Sequence, residues 1–385
     1  MGEIPQGHDI AAASRVRHKA VMERAVCKAM TVLHRRGPDK PIWRGPKSPT
    51  AGSDRTLLEL NDFVVSVRDD VAVVRGIDLA IGRGEALGIV GESGCGKSIT
   101  WLAALRLLGP GVRTGGEVLL DGQDITRLSE RELARIRGGR IALIFQDPSS
   151  ALNPVQRIGT QLREVLHLHR GLRGAAAEGE ALRLLDRVGI ADGPRRLRQY
   201  PHEFSGGMNQ RVMIALALAG EPEVLIADEP TTALDATIQA QILDLIRDIR
   251  RDSGMGLVLI SHDIGVVADL CDRIAVMYAG RIVETGTTHD LLSRPRHPYT
   301  IGLLAALPSL DGPRRRLTPI AGTVPAPDRM PPGCAFGPRC RLMIADCRTQ
   351  TPPLMLAAQD HRAACLRLTD TALMPAMTAP AQVVA

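Results

Sequence analysis

One stretch of eight residues restricts the fold of this chain more than any other feature: Gly91-Glu92-Ser93-Gly94-Cys95-Gly96-Lys97-Ser98. It follows the apolar run Ala86–Val90, which predicts a buried strand, and we expect a helix from Lys97 to about residue 108. Glycines in such a turn let backbone N–H groups point at phosphate oxygens, and the helix N-terminus favours anions. The stretch therefore predicts a phosphate-binding loop, in which Lys97 contacts the β and γ phosphates and Ser98 binds Mg²⁺. The alternative is a glycine-rich turn without a ligand.

Two adjacent carboxylates follow another apolar run, at Asp228 and Glu229 after Val224–Ala227. Open α/β sheets bind ligands at the carboxyl ends of their strands, so we expect both side chains at such an edge. Asp228 is predicted to hold Mg²⁺, and Glu229 to act as the general base that takes a proton from the attacking water. A solvated strand end is the alternative interpretation.

Short apolar runs alternate with helical stretches, which predicts an α/β fold with a largely parallel sheet. Together with the phosphate-binding loop, this pattern resembles the RecA-like core of P-loop NTPases, and the resemblance implies an antiparallel β edge. The further predicted strands are Leu57–Leu60, Phe63–Val67, Ile141–Phe145, Leu257–Ile260, and a hairpin of Ile274–Tyr278 with Arg281–Val283. We expect three parts: a basic, irregular leader over 1–56, a nucleotide-binding domain over 57–290 with an inserted helical subdomain at about 147–219, and a small cysteine-containing domain over 291–385.

The net charge of +6 does not indicate a nucleic-acid partner. Residues 1–56 contain 11 Lys and Arg against 5 Asp and Glu, whereas the remainder contains 37 of each class. A phosphate-backbone footprint requires a basic face on a folded domain, and the balanced body provides no excess for one. No apolar run reaches the 18 or more residues expected of a membrane span, so a cytoplasmic location is expected, where disulfides are rare.

A third motif, Phe204-Ser205-Gly206-Gly207-Met208-Asn209-Gln210-Arg211, precedes a helical pattern that runs to Ala219. With the two elements above, it resembles the ATP-binding subunits of ABC transporters, whose signature is LSGGQ or, in one branch, LSGGMxQR. Here Phe204 replaces the usual leucine. The resemblance implies a head-to-tail dimer with two ATPs between the subunits. In such a dimer the ATP held by one subunit has its γ-phosphate bound by Ser205, Gly206, Gly207 and Gln210 of the other subunit.

Other positions of the family pattern follow in the expected order. Gln146 matches the glutamine that contacts Mg²⁺ and senses the membrane partner, Ala233-Leu234-Asp235 matches the D-loop, and His262 matches the switch histidine that contacts the γ-phosphate. The resemblance implies that ATP is bound by Gly91, Glu92, Ser93, Gly94, Cys95, Gly96, Lys97, Ser98 and Ile99.

One position departs from the family pattern. An aromatic residue normally stacks on adenine before the phosphate loop, and its place here is taken by Val67. Phe63 is nearby but out of phase, and we expect it to lie in the sheet. Since stacking on a base is worth about 1–3 kcal/mol elsewhere, adenine must be bound more weakly or supported by another contact.

The oligopeptide/dipeptide importer branch is indicated by several further segments. These are Gln146–Pro154, the Met208 form of the signature, His297-Pro298-Tyr299-Thr300, Ile320–Pro325 and Pro332–Cys340. The resemblance covers about residues 57–367. It implies a second ATPase subunit, identical or related, two membrane permease subunits, an extracytoplasmic solute-binding protein, and a peripheral position on the cytoplasmic side of the inner membrane.

Four of the seven cysteines lie close together in the sequence, at Cys334, Cys340, Cys347 and Cys365. Four thiolates suit a tetrahedral metal or the iron corners of a cluster, but the absence of a C-x-x-C pair weakens a zinc-ribbon interpretation. The branch resemblance implies a [4Fe–4S] cluster. Zinc and reduced structural thiols remain alternatives, and His361 is either an alternate ligand or a solvated histidine.

The predicted function is ATP hydrolysis coupled to import of di- or oligopeptides. One alternative is a soluble ABC ATPase without a transport role, although such proteins usually carry tandem cassettes or a coiled-coil insertion. Others are an importer of a different solute, such as a nickel complex, and a nucleotide-binding module without turnover. The transported molecule does not touch this subunit, so its identity lies outside the sequence.

Overall fold

The computed structural model describes residues 56–68, 70–232, 234–307 and 319–368. In these residues the strands are β1 (Thr56–Val67), β2 (Val71–Gly82), β3 (Ala86–Val90), β4 (Val112–Leu120), β5 (Gln123–Asp124), β6 (Ile141–Ile144), β7 (Val224–Asp228), β8 (Gly256–Ile260), β9 (Arg273–Tyr278), β10 (Arg281–Thr287), β11 (Met355–Ala358) and β12 (His361–Ala363).

The α-helices of the described residues are α1 (Lys97–Ala104), α2 (Glu130–Ile136), α3 (Pro148–Ala151), α4 (Ile158–Arg170), α5 (Gly174–Arg187), α6 (Gly193–Arg196), α7 (Gly206–Leu218), α8 (Ala236–Ser253), α9 (Ile264–Leu270), α10 (Thr288–Ser293) and α11 (Pro298–Ala305). Short 3-10 turns are formed by Pro201–Glu203, Pro327–Arg329, Gly337–Arg339 and Ala345–Arg348. The predicted leader over 1–56 lies, except for its last residue, outside the described residues.

Contacts along the chain define two compact units. The helical unit consists of Trp101–Val112 and Leu128–Pro222, and it contains β6 and helices α2 to α7. The sheet unit consists of the described residues of Gly52–Thr100, Arg113–Arg127 and Glu223–Ala385. The phosphate loop, both carboxylates and the four clustered cysteines therefore belong to one unit.

The main sheet of the sheet unit has its strands in the order β11-β12-β10-β9-β3-β8-β7. β3 pairs in parallel with β8 and β9, and β7 pairs in parallel with β8. Every residue of β3, β7 and β8 is buried, as expected for parallel strands covered on both faces. The predicted parallel core and the β9–β10 hairpin are confirmed, the hairpin being antiparallel.

A smaller sheet has the order β2-β1-β4-β5, and β1 and β2 run antiparallel over their whole length. The two strands predicted at Leu57–Leu60 and Phe63–Val67 are one strand, because the ladder continues through a register shift between Leu60 and Phe63. Asp62 in this irregularity has a φ of 44°, and its N–H donates to Asp78 Oδ1 at 2.8 Å. Phe63 is fully buried in the sheet, as predicted.

In the helical unit α4 and α5 each bury one side. Leu162 and Leu166 lie one turn apart on α4, Leu184 and Leu185 lie on α5, and all four are buried. Between residues 147 and 219 the described chain forms helices α3 to α7, the last of which ends at Leu218. That this stretch is an inserted subdomain stays a prediction.

Helix α1 is about one turn shorter than predicted. It ends at Ala104 because Arg106 takes a left-handed conformation, with a φ of 51°. The N–H groups of Arg106 and Leu107 then donate to the carbonyl oxygens of Ala103 and Leu102, both at 2.8 Å. These bonds close the C-terminus of the helix. Within the part of the chain that the structure describes, no helix has the length and hydropathy to cross a bilayer.

Candidate active site

The phosphate loop connects β3 to α1, as predicted, and its shape depends on glycine. Gly91, Gly94 and Gly96 have φ values of 153°, 81° and 109°, in a region that side chains disfavour. A Cβ atom on Gly91 would lie 2.2 Å from the carbonyl oxygen of Met277 on β9. Only glycine therefore lets the loop start this close to the neighbouring strand.

Lys97 extends across the loop rather than into solvent. It is 6% exposed, and its Nζ donates to the carbonyl oxygens of Gly91 at 2.7 Å and Glu92 at 3.1 Å. Cys95 packs beneath the lysine, and burial raises the pKa of its thiol, so it is a small apolar filler of the loop. The ammonium group is thus held at the loop, where phosphate oxygens are expected.

Asp228 ends β7 beside the loop and is 4% exposed. Burial is the main reason why the pKa of its carboxyl is raised to about 6, and the negative charge of Glu229 raises this pKa further. A hydrogen bond with Ser98 and the positive charge of Lys97 act in the opposite direction and lower the pKa. Among the described residues, Oδ1 of Asp228 has no hydrogen-bond partner. A buried carboxylate oxygen left unpaired beside a serine hydroxyl is a donor set that fits Mg²⁺. Ser98 and Asp228, the two residues predicted to hold the ion, therefore lie side by side.

Glu229 and His262 face each other at the ends of β7 and β8. His262 Nδ1 lies 3.3 Å from Glu229 Oε1, and Thr232 Oγ1 donates to Glu229 Oε2 at 2.9 Å. The Glu229 side chain is 18% exposed and that of His262 is 65% exposed. The carboxylate is therefore oriented from two sides while it stays accessible to water, as a general base requires. The contribution of Thr232 was not predicted, since a single hydroxyl three residues later has no distinctive pattern.

In the helical unit, the signature segment forms the N-terminus of α7. Ser205 is the N-cap, and its hydroxyl accepts from the N–H of Met208 at 3.3 Å. Ser205 and Gly206 are exposed, which suits an anion-binding helix start. Gln210 is only 2% exposed, and its role toward a second subunit stays a prediction.

The remaining predicted site residues occupy the following positions. Gln146 follows β6 and is exposed. Asp235 is the N-cap of α8 and accepts from the N–H groups of Thr237 and Ile238 at 3.1 and 3.0 Å, so it has a local structural role. Ala233 of the predicted D-loop lies outside the described residues. Val67 is half-buried at the end of β1, and the support for adenine stays open.

The four clustered cysteines line one cavity of the sheet unit, and all four are half-buried free thiols. Burial raises the pKa of Cys334, Cys340 and Cys365. The backbones of Cys334 and Cys347 are hydrogen-bonded at 2.9 Å, and a Cβ on Gly333 would lie 2.3 Å from the Cys347 oxygen. Within the described residues, no three His, Cys, Asp or Glu side chains are arranged to hold a single metal ion.

His361 is neither exposed nor among the cavity's lining residues, so both ideas about it were wrong. It is 1% exposed on β12, and its Nε2 lies 2.7 Å from Oε1 of Glu284 on β10. Glu284 is fully buried and also accepts from the N–H groups of Arg296 and His297 at 2.6 and 2.9 Å. The carboxylate thus connects the start of the C-terminal region (the part of the chain after residue 290) to the core sheet.

Two residues without a predicted role touch the phosphate loop. The hydroxyl of Tyr299 accepts from the N–H of Glu92 at 2.8 Å, and Arg339 Nη1 lies 3.0 and 3.1 Å from the two carboxylate oxygens of Glu92. Both belong to the C-terminal region. Both lie in segments that indicated the importer branch, but nothing in the sequence assigned either residue a contact with the phosphate loop.

A glycine-rich loop closed by a lysine, next to a strand ending in two carboxylates, defines a P-loop nucleotide hydrolase. Residues 74–232 match the family model described as ABC transporter, and residues 283–347 match that described as oligopeptide/dipeptide transporter, C-terminal region. The chain belongs to the ATP-binding subunits of ABC transporters, in the oligopeptide/dipeptide branch, and it is accordingly an ABC-type ATPase.

Among curated proteins, the chain is 47% identical to the oligopeptide transport ATP-binding protein OppD of Salmonella typhimurium, over 81% of this chain and 93% of that protein. It is 49% identical to the dipeptide transport ATP-binding protein DppD of Bacillus subtilis, over 77% of this chain and 89% of that one. A putative peptide import ATP-binding protein of Brucella abortus is also 49% identical, over 78% and 92%.

Solved ABC cassettes share the fold. CbiO1 from Clostridium perfringens, described as part of the ABC transporter complex cbiONQ, matches with a TM-score of 0.54 and 28% identity over 62% of this chain and 91% of that chain. The cassette MJ0796, in a dimeric post-hydrolysis state bound to ADP and Pi, matches with a TM-score of 0.54 and 28% identity over 60% and 99%.

Proposed function

We propose that this chain hydrolyses ATP to drive the import of di- or oligopeptides through separate membrane permease subunits. The observation that carries the proposal is that Lys97, Ser98, Asp228, Glu229 and His262 meet at one edge of the parallel sheet. The C-terminal match at residues 283–347 and the names of the relatives support the peptide branch.

In this proposal Lys97 and the loop amides bind the β and γ phosphates of ATP. Ser98 and Asp228 would hold Mg²⁺, with Gln146 as a further ligand, and the ion would neutralise phosphate charge. Glu229 accepts a proton from the attacking water at its carboxylate, oriented by Thr232. His262, 3.3 Å from that carboxylate, contacts the γ-phosphate side of the site.

The site requires a second subunit for completion. Ser205, Gly206 and Gly207 cap an exposed helix start, and the proposed head-to-tail dimer places this cap on the partner's γ-phosphate. Further proposed features are a helical subdomain at about 147–219 and two membrane permease subunits that follow the motion of the dimer through a groove near Gln146. An extracytoplasmic solute-binding protein and a peripheral location on the cytoplasmic face of the inner membrane complete the proposal.

A transport assay tests the proposal. Vesicles that contain this chain, its partner ATPase, the permease subunits and the binding protein should accumulate a labelled peptide only with ATP inside. Accumulation of a nickel complex instead of peptides would identify the other importer class. ATP hydrolysis without transport of any solute by the assembled complex would favour a non-transport ATPase.

We further propose that Cys334, Cys340, Cys347 and Cys365 hold a [4Fe–4S] cluster. Each thiolate of such a cluster binds a different iron, so the four sulfurs stand farther apart than the ligands of a single ion. The four thiols that line one cavity are the kind and number of ligands that such a cluster requires. The cluster would act as a cross-link between the two ends of the segment from Cys334 to Cys365.

Anaerobic purification tests the cluster proposal. Wild type and Cys27→Ser should both contain about four iron and four sulfide per chain and absorb visible light, whereas Cys340→Ser should lose iron, sulfide and absorbance together. Zinc instead of iron, or no metal in the wild type, would refute the cluster.

A further inference from the structure

Glu92, the second residue of the phosphate loop, contacts the C-terminal region through both its backbone and its side chain. The Glu92 N–H donates to the Tyr299 hydroxyl at 2.8 Å, and both carboxylate oxygens accept from Arg339 Nη1 at 3.0 and 3.1 Å. The carbonyl oxygen of the same residue accepts from Lys97 Nζ at 3.1 Å. Glu92 is therefore the direct link between the C-terminal region and the lysine that binds phosphate.

Arg339 is held in one place by several contacts of its own. Its Nε donates to Ala321 O at 2.8 Å, and its Nη1 lies 3.4 Å from the Tyr278 hydroxyl. The guanidinium also lies over the Tyr278 and Phe336 rings, 5.8 and 5.9 Å from their centroids. The side chain is 5% exposed. A charged hydrogen bond shielded from water in this way is stronger and more directional than a surface ion pair.

Tyr299 is enclosed by other aromatic rings beside the loop. It is fully buried near the start of α11, and its ring packs against Tyr278 and Phe336 at centroid distances of 4.6 and 5.5 Å. The three rings are among only seven tyrosines and phenylalanines in the whole chain. Such a concentration in a chain poor in aromatics gives the loop a rigid base.

We propose that Arg339 and Tyr299 are positioning residues of the ATP site, through which the cysteine-bearing C-terminal segment sets the conformation of the phosphate loop. They act through Glu92, which fixes the carbonyl oxygen that Lys97 contacts. Without them the loop gains conformational freedom, and ordering it on nucleotide binding costs free energy. The inference rests on the proposed ATPase function, and it adds that the C-terminal segment controls the conformation of the phosphate loop.

A double-mutant cycle tests the link. ATP affinity and steady-state hydrolysis are measured on the full chain assembled with its partner subunits, for wild type, Glu92→Gln, Arg339→Met and the double variant. Loss of one charged hydrogen bond should raise the ATP Kd and KM about tenfold in each single variant, with kcat within about twofold. The double variant should be no weaker than the weaker single variant, because both remove the same contact.

Three further variants separate positioning from a loss of structure. Arg339→Lys keeps the charge and should recover part of the affinity, and Tyr299→Phe keeps the ring but should weaken ATP binding several-fold by removing the hydroxyl. Arg329→Met changes an exposed arginine of the same segment, with an 85% exposed side chain, and should behave as wild type. Glu92→Gln leaves the Arg339 contacts to Ala321 intact, so it remains informative if Arg339→Met does not fold.

The outcomes are distinguishable. If the wild type hydrolyses ATP but Glu92→Gln and Arg339→Met match Arg329→Met, or if their effects simply add, the positioning role is wrong and the ATPase function stands. If the wild type neither binds nor hydrolyses ATP, the proposed function itself is wrong.

Discussion

Glu229 adopts a backbone conformation that is costly for a residue with a side chain, with a φ of 47°. Its N–H donates to Ile260 O at 2.9 Å, which holds the residue at the end of β7. This conformation directs the carboxylate toward Thr232 and His262 instead of along the strand. Strain at this position is thus part of how the sheet presents the base.

The first prediction concerns this carboxylate. Glu229→Gln keeps the size and backbone of the residue but cannot accept the proton from water. We expect kcat for ATP hydrolysis to fall by at least about 10²-fold, while ATP affinity changes little. Glu178→Gln, at an exposed carboxylate of α5, is the control. Hydrolysis by Glu229→Gln at the parental rate would show that another group is the base.

At the scale of the element, α11 begins with a buried histidine that must be neutral. His297 is the N-cap, its Nδ1 accepts from the N–H of Tyr299 at 3.1 Å, and it is 2% exposed. Burial lowers the pKa of His297 to about 4, although Glu284 and a backbone hydrogen bond oppose the shift. The helix that carries Tyr299 therefore depends on an uncharged imidazole.

The second prediction gives the pH dependence of this cap. The unfolded chain protonates the histidine below its ordinary pKa of about 6.5, whereas the folded chain does so only near 4. Between these values the unfolded state binds more protons, so stability falls as pH falls, by up to about 1.4 kcal/mol per pH unit. In urea unfolding at pH 5 and 7, His297→Asn should show a smaller pH effect. Exposed His202→Asn is the control, and equal pH effects in all three proteins would contradict the prediction.

The third prediction separates the two roles of Ser205 at the start of α7. Aspartate is as good an N-cap as serine, so Ser205→Asp should leave stability within about 0.5 kcal/mol. Its negative charge would repel the γ-phosphate of a second subunit, so ATP-dependent dimerisation in the Glu229→Gln background should be lost. Ser205→Asn, a neutral cap, is the control. Unchanged dimerisation of Ser205→Asp by size-exclusion chromatography would argue against the partner-site role.

At the scale of the whole molecule, the C-terminal region is built into the sheet unit instead of standing beside it. β12 pairs with β10 and β11 extends the same sheet. Buried Glu284 binds the N–H groups of Arg296 and His297, and Arg339 reaches Glu92. The domain boundary predicted near residue 290 therefore marks a change in sequence composition, but buried contacts of the sheet unit cross it.

The fourth prediction follows from these shared contacts. Deletion of residues 291–385 would remove the rings that pack on Tyr278 and the hydrogen-bond partners of Glu284, and it would leave β10 without its neighbouring strand. The core would lose buried apolar area and several hydrogen bonds. We expect the truncated chain to be insoluble or to unfold at lower urea, and to lose ATP binding. The control is removal of residues 369–385 alone, which should change neither property. A soluble truncated chain with parental ATP affinity would show that the core is independent.

The sequence by itself determined the phosphate loop, the two carboxylates, the helix cap of the signature and the parallel core. Each of these is a continuous segment in which residue type and local backbone geometry suffice: glycines for left-handed turns, apolar runs for buried strands, serine for a helix start. Only the tertiary structure decided the pairing of Glu229 with His262, the burial of His361 against Glu284 and the contact of Arg339 with Glu92. Arg339 and Glu92 are 247 positions apart in the sequence, and no local conformational preference brings them together. They meet because the turn that carries Arg339 packs through Phe336 on the rings of Tyr278 and Tyr299 beside the loop.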